Sequence, residues 1–165
     1  MDGCLYCSPE FTKSVHDNIF EFMISRTNGK FASITSLEQA RTVWEPIFGK
    51  YSLTKRGLVA EGYEFDEEDY DNFTRTDMNQ FIEPSPSLKK LLDSFPQKKV
   101  VFTNCPERLA KECLKLLGIL DCFENIYGTS FMNGRCKPEQ VVFEKVLDHL
   151  TITEAEQGSV CYFED

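Results

Sequence analysis

Apolar residues recur at helical spacing through the first half of the chain. Between Pro9 and Arg26 they fall at Phe11, Val15, Ile19, Phe22 and Met23, which predicts an amphipathic helix stopped at Asn28-Gly29. Ser36, with Gln39 three residues on, reads as a capping box opening a second helix with the stripe Leu37, Ala40, Val43 and Trp44. Leu53 to Ala60 predicts a short third helix ended by Gly62. The acidic run Glu64 to Asp71 begins a fourth, with Tyr70, Phe73 and Met78 on or near its inner side. Residues 9–80 therefore read as all-helical, without a convincing strand.

Beyond Glu83-Pro84-Ser85-Pro86 the pattern changes. Leu88, Leu91 and Leu92 mark a helix, and the short run Val100 to Phe102 predicts a strand at 99–103 buried on both faces. A helix follows at 106–118, with Pro106 in its first turn and Gly118 as its C-cap. Phe123 to Tyr127 predicts a strand, and Pro138 starts a helix with the buried stripe Val141, Val142, Val146 and Leu147. Gly158 to Phe163 predicts a last strand ending on Glu164-Asp165. Strands alternating with helices imply parallel βαβ units, hence an α/β fold.

At 165 residues, with 41% hydrophobic and 27% charged residues, the chain has the composition of a globular protein of one domain, or a core with an insertion. No apolar run approaches the roughly 20 residues of a membrane span, and no leader peptide is evident. A net charge of −9 argues against a nucleic-acid partner, which needs a basic face. It leaves room for a small anion held by local cations. Seven cysteines without a regular framework read as reduced thiols of a cytoplasmic protein. Cys4-x-x-Cys7 has no second pair and no neighbouring His, so a zinc or redox role is the lesser reading. His16 and His149 read as surface or packed residues, and the acidic run lacks the Gly of a calcium loop.

Thr103-Asn104 stands at the carboxyl end of a predicted strand and just before a helix, where ligands of open α/β sheets bind. Alone, this is equally an ordinary strand-to-helix turn. Three further polar groups occupy comparable places: Asp2, Lys137 and Glu164-Asp165. In this order they resemble the haloacid dehalogenase superfamily of phosphohydrolases, and within it the pyrimidine 5′-nucleotidase branch. Asp2-Gly3-Cys4-Leu5-Tyr6 resembles the end of the first motif, and Val101-Phe102-Thr103-Asn104 the second. Leu117 to Phe123 resembles a following signature, Lys137-Pro138 the third motif and Tyr162-Phe163-Glu164-Asp165 the fourth. Gly62 to Asp66 lies inside a helical insertion like that branch's cap.

The resemblance implies a Rossmann-like parallel sheet with an inserted all-helical cap: residues 1–8 and 84–165 as the α/β core, and 9–83 as the cap. It implies a Mg²⁺-dependent phosphomonoester hydrolase acting on a nucleoside monophosphate. Asp2 would be the general acid and base, with Thr103, Asn104 and Lys137 binding phosphate. Thr103 and Lys137 would also take part in catalysis, and Asp2, Glu164 and Asp165 would form the metal site. The sequence departs from the pattern in one place that bears on all of this. The nucleophilic Asp of the motif would lie two residues before Asp2, one ahead of Met1, and most of the first strand is missing with it. The chain thus reads as truncated at both ends. The alternative function is a catalytically inactive form that binds phosphate or a partner.

Overall fold

The computed structural model describes residues 1–164; Asp165 lies outside the described residues. Contacts divide the chain into two compact units, one of residues 9–81 and one of 1–8 with 82–165.

The unit of residues 9–81 is helical: α1 (Pro9–Ser25), α2 (Leu37–Tyr51), α3 (Thr54–Ala60), α4 (Glu67–Thr74) and α5 (Met78–Phe81), with a 3₁₀ turn at Gly29–Ser33. Its core is aromatic. Phe22 is wholly buried, and the rings of Tyr70, Phe65 and Phe73 meet it at centroid distances of 5.1, 5.6 and 5.6 Å. All three approach edge-on, the arrangement the ring quadrupole favours. The α2 and α3 helices come together over Gly57, where any Cβ would collide with Ile47 Cγ2. The Trp44 indole N–H donates to the buried Thr54 hydroxyl at 2.8 Å, so the burial of that polar pair is compensated.

Ser36 caps α2 as predicted, accepting from Gln39 N at 3.3 Å. The return bond differs from a capping box: the Gln39 side-chain oxygen accepts from Thr35 N and Thr35 Oγ1 instead. Leu37 is 59% exposed, because it sits in the first turn of α2, before the apolar stripe meets its partners. The acidic run becomes a cap and first turn, with Asp66 accepting from Asp69 N. Carboxylates at that end suit the helix dipole.

The other unit holds α6 (Pro86–Ser94), β1 (Val100–Phe102), α7 (Glu107–Leu116), β2 (Asn125–Tyr127), α8 (Thr129–Met132) and α9 (Gln140–His149). Strands β1 and β2 pair in parallel, Val101 opposite Ile126. Only Val101 of β1 is buried, while Val100 and Phe102 are half-buried. This corrects the expectation of a strand covered on both faces. Leu109, Cys113 and Leu114 of α7 and Val142 and Val146 of α9 supply buried core positions. Val141 and Leu91 are largely exposed, although they belong to the predicted stripes.

The predicted strand at 158–163 is not formed. A 3₁₀ turn runs from Glu154 to Ser159, and 160–164 carry no regular structure. Val160 is extended (φ −85°, ψ 124°), but no described strand lies alongside it to complete a ladder. A strand is defined by pairing, and propensity alone does not provide it. No helix among the described residues is long and apolar enough to cross a membrane.

Candidate active site

The site is built at the carboxyl end of β1. Thr103 N continues the ladder by donating to Tyr127 O at 2.9 Å, so Thr103 is held as rigidly as the strand it follows. The chain then turns. Thr103 Oγ1 accepts from Cys105 N at 3.2 Å, and α7 starts at Glu107 after Pro106. Thr103 is buried at 6% exposure, with its hydroxyl proton not spent on the Cys105 bond.

Asn104 reaches across 33 residues to clasp the backbone of Lys137. Its Nδ2 donates to Lys137 O at 3.1 Å, and its Oδ1 accepts from Lys137 N at 2.8 Å. A side-chain amide can satisfy an N–H and a C=O of the same residue at once. This fixes Lys137 beside the end of β1. The Lys137-Pro138 peptide is cis.

Lys137 is 8% exposed, an unusual place for an ammonium without a partner. It has partners. Nζ donates to Glu164 Oε2 at 2.6 Å and Oε1 at 2.9 Å, and to the Tyr162 hydroxyl at 2.9 Å. It also lies 5.4 Å from the centroid of the Phe102 ring, a cation–π distance. Burial pulls the Lys137 pKa down, but the bonds to Glu164 and Tyr162 outweigh it and leave the net shift upward. For Glu164, burial pushes upward, while Lys137 and Tyr162 hold the carboxyl below its ordinary value. The Met1 ammonium adds a smaller pull in the same direction. Burial and the Glu164 bond both raise the Tyr162 phenol.

Thr103, Asn104, Lys137 and Glu164 are thus connected in one cluster. Asp2 lies in a turn where it bridges Tyr6 and accepts a hydrogen bond from the Tyr6 hydroxyl. That turn adjoins the 162–164 segment, since Cys4 Sγ contacts Phe163 O at 3.6 Å. Glu164, expected as an outer metal ligand, gives its carboxylate to Lys137, and the expected ligand Asp165 lies outside the described residues. The donors expected for Mg²⁺ are all oxygens, which suits a hard cation. Among the described residues, however, no group of three or more His, Cys, Asp or Glu is placed to hold a metal ion.

Two participants escape sequence reasoning. Tyr162 lies inside the fourth motif, but nothing in the pattern signals that its hydroxyl meets Lys137. Glu107 is the other. Its carboxylate accepts from Gly128 N (3.0 Å), Phe131 N (2.8 Å) and Ser130 N (3.2 Å), tying the start of α7 to the turn after β2. Burial raises its pKa, but these donors prevail and the net shift is downward. Gly128 is required at that junction, because a Cβ there would overlap Cys105 O and lie 2.9 Å from Glu107 Cδ.

Over 121 residues the chain is 26% identical to Phosphate metabolism protein 8 of Saccharomyces cerevisiae, covering 65% of this chain and 38% of that protein. The chain thus spans well under half the length of that relative. A family model for haloacid dehalogenase-like hydrolases matches residues 1–165. Over its whole length, then, the chain belongs to the haloacid dehalogenase-like hydrolases.

Proposed function

We propose that this chain carries the phosphate-handling half of a phosphomonoesterase whose substrate is a nucleoside monophosphate, most simply a pyrimidine 5′-nucleotide. The observation that supports it best is the two-way clasp between Asn104 and Lys137, which fixes the backbone of a buried lysine at the end of β1, next to Thr103 in the chain. A phosphoryl group in transfer spreads negative charge over its equatorial oxygens, so catalysis consists largely of placing donors and positive charge there. Lys137 supplies the charge, Thr103 donates its free hydroxyl proton, and Asn104 keeps the two in register. Asp2 is the general acid that protonates the leaving alcohol. Mg²⁺ belongs to the same reading, with Asp2, Glu164 and Asp165 as its candidate ligands. The free thiols of the described residues suit a reducing, cytoplasmic setting.

A second reading, phosphate binding without turnover, draws on one observation: the aspartate that would attack phosphorus is not among residues 1–165. The polypeptide of those residues is therefore expected to bind uridine monophosphate without hydrolysing it. The experiment adds a β-strand ending in Asp, so that the motif reads Asp-Met1-Asp2, and after Asp165 the α/β elements that follow the corresponding motif in a relative. Hydrolysis of uridine and cytidine monophosphates should then appear and require Mg²⁺. Asp2→Asn in that extended chain should cost about 10²–10⁴-fold, the usual worth of general acid–base catalysis. A folded, Mg²⁺-binding, extended chain inert towards every phosphomonoester would reject the esterase reading in favour of phosphate binding.

A further inference from the structure

Helix α9 is fastened at both ends. Just before its start, Lys137 is clasped by Asn104 through bonds of 2.8 and 3.1 Å. The turn between them is closed, since Glu139 N donates to Cys136 O at 3.0 Å and Glu139 Oε1 accepts from Cys136 N at 3.1 Å. At the other end of the helix, His149 Nδ1 meets the Tyr127 hydroxyl at 3.0 Å. Tyr127 is the last residue of β2 and buried, and its ring stands edge-on to the imidazole at a centroid distance of 5.4 Å. Phe131 completes the junction, 4.7 Å from the Tyr127 ring and 5.4 Å from His149. Lys145, one helical turn before His149, donates to Phe131 O and lies over that ring at 4.6 Å. The imidazole itself is exposed.

None of these aromatic groups belongs to the site, yet their contacts end on it. Tyr127 O accepts from Thr103 N at 2.9 Å. The contacts therefore close a ring. Thr103 is bonded to Tyr127, and Tyr127 to His149; α9 leads back to Lys137, and Asn104 joins Lys137 to the residue next to Thr103. A rigid helix carries a displacement at one end to the other, so loosening any link of such a ring frees the rest. The Asn104 clasp holds the backbone of Lys137 at one point only. The direction of α9, and with it the orientation of the turn that bears Lys137, is set by the fastening at His149. Burial pushes the Tyr127 phenol up, so its hydroxyl keeps the proton and remains a partner for the imidazole. We infer that His149 is a positioning residue, which through Tyr127 holds Thr103, and through α9 holds Lys137, in the mutual placement that a phosphoryl group requires. The inference rests on the proposed phosphate-handling role of those two residues.

The test uses the full 165-residue chain, isotopically labelled, with inorganic phosphate as the ligand. His149→Leu keeps apolar bulk against Phe131 and removes the hydrogen-bonding atom, while Tyr127→Phe removes only the partner hydroxyl. Each should speed hydrogen exchange at the Thr103 and Lys137 amides about two- to tenfold, the net worth of one hydrogen bond. Exchange at Leu114, in the buried face of α7, serves as the reference and should stay within a factor of two of the parent. Phosphate binding should weaken by a similar two- to tenfold. The double variant should do no more than either single one, because both cut the same link. His149→Asn, which restores a polar side-chain atom, should recover most of the parent behaviour. Equal acceleration at Leu114 would reduce His149 to a general stabiliser and overturn the inference. So would parent-like exchange at Thr103 and Lys137 in both single variants, or effects that simply add. If His149→Leu fails to fold, Tyr127→Phe decides alone. A parent chain that does not bind phosphate would reject the phosphate-handling reading, and the exchange comparison would still decide whether His149 holds the two residues.

Discussion

Replacing Asn104 tests whether the clasp on Lys137 organises the site. Asn104→Ala removes two hydrogen bonds, of 3.1 and 2.8 Å, and leaves one N–H and one C=O of a buried residue without those partners. Each orphaned group costs about 1–3 kcal/mol. Asn104 is itself half-buried, so water recovers part of this, and we expect a loss of about 2–4 kcal/mol. That is a large share of the 5–15 kcal/mol typical of a domain. Asn104→Asp keeps the shape and one bond but sets a carboxylate oxygen against Lys137 O. Its deficit should be about 1–3 kcal/mol at pH 7. Only the protonated acid can donate to that carbonyl, so folding raises its pKa. The stability it recovers is present below the unfolded value and fades as pH rises through the folded one. Urea unfolding at pH 7 and pH 3.5, with unchanged m-values, measures both effects. Titration with inorganic phosphate should show at least a tenfold loss for the alanine variant. If Asn104→Ala unfolds within about 0.5 kcal/mol of the parent, the magnitude expected of a neutral surface change, the clasp is incidental and the reasoning fails.

Two further outcomes follow from the same geometry. Glu107→Ala strips the charged acceptor from three backbone donors and should cost about 2–3 kcal/mol, with Glu107→Gln costing about half, since its one carbonyl can replace Oε1 but its amide opposes Ser130 N. Because the folded Glu107 pKa is depressed, that difference should be full above the ordinary carboxylate range and vanish as pH falls through the folded value; thermal melts from pH 7 to pH 3 would show it, and a flat difference would refute it. Glu164→Gln should release Lys137 and tighten inorganic phosphate binding several-fold at pH 7, measured by calorimetry; weaker binding would mean that Glu164 positions the lysine instead of competing for it.

The helices and the two paired strands were legible because they announce themselves locally. Ser36, Asp66, Gly62 and Gly118 each act within four residues of the boundary they set, and the stripes around Phe22 and Cys113 follow the helical period. What periodicity cannot state is whether a stripe's last member is covered. Leu37, Leu91 and Val141 have the right spacing and the wrong surroundings. The failure at 158–163 is of the same kind. Val160, Tyr162 and Phe163 are good strand residues, and the first is extended, but strand formation depends on a neighbour that the segment's own sequence does not encode.

The site divides along the same line. Thr103, Asn104 and Lys137 could be named from short motifs because each sits at an element boundary, yet the bond pattern that joins them spans 33 residues and is visible only in three dimensions. Glu164 shows why this matters for chemistry. A carboxylate at a strand end beside other acids reads as a metal ligand. The same carboxylate beside a buried ammonium is more strongly held there, because a buried cation without a counter-charge would cost several kcal/mol. With Lys137 clamped by Asn104, Glu164 pairs with its ammonium, and the depressed Glu164 pKa is the consequence. A phosphate dianion would bring charge of the same sign, and more of it, with more acceptors. On the proposed reading, the arrangement holds its lysine in a form that an incoming phosphoryl group would take over by exchanging one anion for another. No new cation has to be buried in the exchange, which keeps the desolvation cost of binding low.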